Sequence, residues 1–184
     1  RKIKVLLIII FFGSISDLIS KLKNRISIED ILKKNKNCKI VNTINKNYNF
    51  GISVYNLKKI NIQNYKIFNF HLGSLRYQRG SFIFFYKFIK NWDKIFLTFH
   101  EITEKFDVGK IVNEREIHLK KNCKATDIIF AYLNNFDFLT ESLDNLNRPY
   151  NKQYLEYDKL NLVPNFYKLF YESIKYFFKR ISNS

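Results

Sequence analysis

The chain has 184 residues, enough for one domain with a single sizeable core. Its 32 Lys and Arg against 16 Asp and Glu leave a net charge of +16, yet the lysines are dispersed along the chain. That spread argues against the concentrated basic stripe of a specific nucleic-acid-binding module. Cys38 and Cys123 lie far apart, without a CxxC or His spacing, which argues against a disulfide framework or a zinc site and fits a reducing cytoplasm.

In chain order, Lys4 to Ile10 reads as a buried strand. The apolar run from Val5 to Phe12 also matches the core of a signal peptide, but it is short, rich in Ile and followed by Gly13-Ser14. It is too short to span a bilayer. Ser14 or Ser16 caps a helix to about Asn24, and Ser27 to Leu32 suggests another helical turn or two. Cys38 to Ile44, Gly51 to Val54 and Lys66 to Phe70 are candidate strands.

Ser81 to Trp92 is aromatic, with Phe85, Phe88 and Trp92 on one helical face, so a helix packed on a sheet is favoured over a base-stacking surface. Ile95 to His100 and Ile111 to Leu119 are the next strands. Thr126 is expected to cap one long amphipathic helix through Leu146, ended by Arg148-Pro149. Strands alternating with helices imply a mostly parallel α/β sheet, whose ligands gather at the strands' carboxyl ends. Residues 1–147 form the expected domain. Residues 148–184 form a helical tail that could dock on the domain, on a second copy in a homodimer, or on a membrane surface.

An amide, an imidazole and a carboxylate at strand ends make a proton-transfer site plausible: Asn69, His71 and Asp107. The stretch Asn69-Phe70-His71-Leu72-Gly73-Ser74-Leu75 continues to Arg79-Gly80, then Thr98-Phe99-His100-Glu101-Ile102 and Asp107-Val108-Gly109. In that order and spacing, over roughly residues 50 to 140, it resembles the formyltransferases that use 10-formyltetrahydrofolate. These include the glycinamide ribonucleotide, methionyl-tRNA and sugar-nucleotide amine enzymes.

The resemblance implies a Rossmann-like formyltransferase fold, here shortened at the amino terminus, and a metal-free formyl transfer. The donor is 10-formyltetrahydrofolate and the acceptor a small amine, on a nucleotide-linked sugar or glycinamide ribonucleotide. It assigns catalysis to Asn69, His71 and Asp107, with His100, Thr98 and Arg79 in support. It lays the donor near Ile52, Val54 and Leu57 and near Phe106, Val108 and Gly109.

Departures from the pattern are Leu72 and Arg76, where the family has proline; without that restraint on φ the loop is looser or otherwise braced. Gly13 to Leu18 is similar to a phosphate-cradling Gly/Ser loop but lacks its second glycine, and Asp17 would repel an anion. His118 stands without a companion and reads as surface. Competing readings are a non-catalytic relic or binding protein on the same fold, and a methionyl-tRNA formyltransferase. The latter normally carries a separate RNA-binding domain after the long helix.

Overall fold

The computed structural model describes residues 50–54, 66–120 and 123–182. The strand and helix expectations before residue 50, the Gly13 loop and Leu57 lie outside them. The described elements are β1 (Phe50–Val54), β2 (Lys66–Leu72), α1 (Ile83–Ile89), β3 (Lys94–Glu101), β4 (Ile111–His118), α2 (Ala125–Asn134), α3 (Phe136–Asn145) and α4 (Phe166–Ser182).

The four strands form one sheet in the order β1-β2-β3-β4. β1 runs parallel to β2, whereas β2–β3 and β3–β4 are antiparallel. The sheet among the described residues is therefore mixed rather than mostly parallel. The reversal comes from the connection after β2: its loop and the short α1 return the chain so that β3 runs back alongside β2. No such reversal is written in the period-2 pattern of either strand.

Side chains alternate across the sheet, so residues two apart share a face. Phe68, Phe70, Leu72, Ile95, Leu97 and Phe99 are all buried and belong to one core. Phe68 stacks on Phe99 with centroids 5.3 Å apart, and Phe70 lies 4.9 Å from Tyr132 and 5.6 Å from Phe138 of the helices. Full burial of each such ring is worth about 1.5–3 kcal/mol. Arg115 of β4 fastens the helical layer, bonding Asn135 at 3.1 Å, Asp137 at 2.6 Å and Glu141 at 2.7 Å.

The long helix expected from Thr126 is two helices. Asn135 breaks it with φ −87° and ψ 54°, and its side chain serves both Arg115 and the Ala131 carbonyl. An Asn that bonds its own backbone competes with the helical ladder. The start also differs: the Asp127 carboxylate accepts the Lys124 N–H at 2.7 Å, one residue before the helix begins, and Thr126 lies inside the first turn. In α1, Phe85 and Phe88 are buried and Trp92 packs beside them, as the shared face implies.

After α3 the chain runs back as an extended strap. It bridges Ile111 with Lys152 and Gly80 with Asn161, and then enters α4. Leu169 of α4 is buried and Tyr176 meets Phe88 of α1 at 5.3 Å. Among the described residues, no helix is long and apolar enough to cross a membrane.

Candidate functional site

The face of the sheet opposite the aromatic core carries the polar side chains. Asn69 and His71 share it because they are two residues apart on β2. The antiparallel register sets His100 opposite Asn69 and Thr98 opposite His71. Four residues from two motifs thus meet through strand pairing alone, and Asp107 reaches them from the loop after β3.

His71 is buried, and its Nε2 lies 3.0 Å from the Gln78 carbonyl. A carbonyl only accepts, so Nε2 carries the proton and Nδ1 is the nitrogen turned to Asp107, 3.9 Å from Oδ1. The Asp107 carboxylate is held through Oδ2, which accepts the Gly80 N–H at 2.7 Å. Asp107 itself adopts φ 52°, a left-handed conformation that Asp tolerates better than most residues.

His100 follows the same logic. Its Nδ1 lies 2.8 Å from the Glu101 carbonyl and must donate there, so the neutral ring presents a lone pair at Nε2. That lone pair accepts from the Asn69 amide at 3.3 Å. Burial pushes the His100 pKa down to about 4, although Asp107, 3.7 Å from Nε2, pulls the other way. A neutral His100 orients Asn69, leaving the second amide N–H and the amide oxygen for another partner.

The loop from Gly73 to Gly80 needs no proline because it is tied down elsewhere. Gln78 is fully buried: its Oε1 accepts from Ser74 N–H at 3.3 Å and Phe96 N–H at 3.2 Å, and its Nε2 donates to the Lys94 carbonyl at 2.9 Å. Thr98 donates to the Gly73 carbonyl at 2.8 Å. Arg79 is also a brace. Its two terminal nitrogens donate to the carbonyls of Asp158 and Phe106, and its guanidinium lies over the Tyr157 ring.

The remaining expected residues are divided between the two faces of the sheet. Ile52 pairs with Phe68 and packs against the aromatic core, away from Asn69 and His71, and Val54 pairs with Phe70. Phe106 is half exposed, and the Val108 carbonyl accepts from Gln153 and Tyr157 of the strap. Gly109 is pressed against the Glu101 carbonyl, where a Cβ has no room. His118 is exposed on β4, 3.0 Å from Glu116. Among the described residues, no group of His, Cys, Asp and Glu could hold a metal ion.

A cavity of about 260 Å³ opens beside this centre, lined by Asn69, His71 and Asp107 and also by Phe82, Leu160 and Val163. Two contributors were silent in the sequence. Gln78 occupies a loop position without any pattern. Asn161 is buried, and its side chain and N–H both donate to the Arg79 carbonyl, at 2.8 and 2.9 Å. No local signal marks either, since their partners are distant in the chain.

No family model and no curated protein matches this sequence. Solved structures do. A Mycobacterium tuberculosis protein assigned to the sugar N-formyltransferases superposes with a TM-score of 0.58 at 20% identity, over 70% of this chain and 63% of that one. A 4-N formyltransferase from Francisella tularensis gives 0.55 at 21% identity, over 63% and 50%. An N-formyltransferase from Helicobacter canadensis, in complex with folinic acid and dTDP-3-aminofucose, gives 0.54 at 19% identity, over 68% and 54%. The chain thus spans between half and 63% of the length of these three proteins. Its mixed sheet and flanking helices have the Rossmann-like fold of the sugar N-formyltransferases.

Proposed function

We propose that this protein transfers a formyl group from 10-formyltetrahydrofolate to the amine of a small acceptor. The observation that carries the reading is the convergence of His71 Nδ1, Asp107 Oδ1 and the Asn69 amide beside one cavity, on this fold. The donor supplies an activated formyl carbon. Ile52, Val54, Leu57, Phe106, Val108 and Gly109 are proposed to carry it.

Formyl transfer needs a proton taken from the attacking amine, a stabilised oxyanion and a proton given to the departing nitrogen. Asp107 is the carboxylate that takes the amine's proton, because it lines the cavity and Gly80 restrains its Oδ2, leaving Oδ1 near the His71 and His100 rings. His71, when protonated, points Nδ1–H at the same space and stabilises developing negative charge there. Asn69, oriented by His100, adds a neutral N–H donor. His71 Nδ1 then delivers a proton to the leaving nitrogen, and the formyl carbon has exchanged one C–N bond for another.

A nucleotide-linked amino sugar is the first acceptor to test, because the Helicobacter canadensis protein of the same fold was captured with one. A cytoplasmic setting, where reduced folates persist, fits this chemistry. The test is to incubate the protein with 10-formyltetrahydrofolate and a panel of amines, following tetrahydrofolate release and the mass of the formylated product. No release above the uncatalysed rate with any amine would overturn the proposal.

A further inference from the structure

Asp107 is held by bonds that reach it from outside its own loop. Its left-handed φ of 52° is a conformation that persists only where the surroundings hold it. The carbonyls on either side of it are both engaged. That of Phe106 accepts from Arg79 at 2.7 Å, and that of Val108 accepts from the Tyr157 hydroxyl at 3.0 Å and from Gln153 at 3.1 Å. Its own Oδ2 accepts the Gly80 N–H at 2.7 Å.

All of these restraints lead to the strap. Tyr157 serves two of them: its hydroxyl bonds the Val108 carbonyl, and its ring lies 5.1 Å from the Arg79 guanidinium that bonds the Phe106 carbonyl. The other terminal nitrogen of Arg79 donates to the Asp158 carbonyl at 3.1 Å. Asn161 serves the Gly80 bond. Its N–H and side-chain amide both donate to the Arg79 carbonyl, and its own carbonyl accepts the Ser81 N–H at 2.8 Å. These bonds bracket Gly80, which lies so close that a Cβ there would strike the Asn161 backbone. The strap thereby aims the Gly80 N–H at Asp107.

We infer that the strap belongs to the reaction centre, and that Tyr157 and Asn161 are positioning residues that act through the Asp107 carboxylate. Asp107 Oδ1 lies 3.9 Å from His71 Nδ1 and 3.7 Å from His100 Nε2, so a displaced loop would move it relative to both rings. An error of an ångström in a reacting group is costly to turnover. The inference rests on the formyl-transfer reading above for its effect on rate; the placement of the carboxylate does not depend on that reading.

The experiment uses the full chain and reads placement and turnover separately. The Gly80 amide resonance in a nitrogen–proton correlation spectrum reports its bond to the carboxylate, and Asp107→Ala marks its position without that bond. Tyr157→Phe and Tyr157→Leu are expected to move the resonance towards that position, Leu further than Phe because it also removes the ring beside Arg79. Asn161→Ala is expected to move it likewise. Lys152, on the same strap, bonds Glu114 of β4 at 2.6 Å instead. Lys152→Ala is therefore expected to lower the urea midpoint and leave the resonance in place.

In turnover, Tyr157→Leu and Asn161→Ala are each expected to lower kcat at least about tenfold with KM within about twofold. Neither should lower kcat further in an Asp107→Asn background, since both act through that carboxylate. A Gly80 resonance unmoved in the Tyr157 and Asn161 variants overturns the inference, even if formyl transfer is detected. So do equal losses of kcat in the parent and Asp107→Asn backgrounds, or an equal loss in Lys152→Ala, either of which marks a purely structural strap. A resonance that moves as expected, in a protein that releases no tetrahydrofolate with any amine, upholds the strap's hold on Asp107 and sinks the formyl-transfer reading instead.

Discussion

His71 gives its Nε2 proton to the main-chain carbonyl of Gln78 across 3.0 Å, which commits the other ring nitrogen to Asp107. The ring is thereby set in one tautomer when neutral, and in one orientation in either state. Only Nδ1 is left for chemistry.

That geometry predicts large losses from small changes. His71→Ala and Asp107→Asn are each expected to lower turnover at least about a hundredfold, with circular dichroism unchanged. An active His71→Ala enzyme would remove the imidazole from the mechanism.

Gln78 should matter for stability as well as for activity. Gln78→Leu strips the Ser74 and Phe96 N–H groups and the Lys94 carbonyl of a buried partner, at a cost of about 2–4 kcal/mol in urea unfolding. Gln78→Glu retains the acceptor but turns a buried carboxylate oxygen on the Lys94 carbonyl, so its loss should be at least as large. Equal stability of Gln78→Leu and the parent chain would show that the loop is braced by other bonds.

Stability should fall with acid in a defined window. Burial lowers the folded pKa of His100 to about 4 from an ordinary value near 6.5. Between those values the unfolded chain binds a proton that the folded chain refuses. His100 therefore contributes stability that is complete above about pH 6.5 and is lost towards pH 4, by up to roughly 3 kcal/mol. Urea midpoints at pH 7.5 and pH 5 measure it. His100→Gln, which retains an acceptor for Asn69, should flatten this part of the dependence.

Gly73 is a position where only glycine fits. It holds φ 135°, and a Cβ would run into the Gln78 carbonyl and stand 2.9 Å from His71 Nε2. Gly73→Ala is expected to cost about 1–3 kcal/mol through the backbone. It should also lower kcat in protein that remains folded, because the clash falls on the bond that orients His71. Differential scanning calorimetry with parallel turnover assays distinguishes the two effects.

Much of the site was legible because its parts are local. Asn69 and His71 share a face by a spacing of two, and β2, β3 and α1 are marked by runs of Phe, Ile and Leu with ordinary periodicity. The broken helix was not legible. Leu and Phe keep their three-and-four spacing through Asn135, and the interruption depends on Arg115 from another strand.

By itself, the sequence determined which chemical groups are available and that Asn69 and His71 share one face of a strand while Asp107 sits in a tight loop, since strand period and turn chemistry act over a few residues. Asn69 lies in the middle of β2 and not at its end. The tertiary structure alone decided the direction of β3, the Gln78 brace that stands in for proline, and the strap that closes the cavity. Asn161 meets Arg79 across 82 positions. Such contacts arise from the packing of the whole sheet, and no short window of residues encodes them.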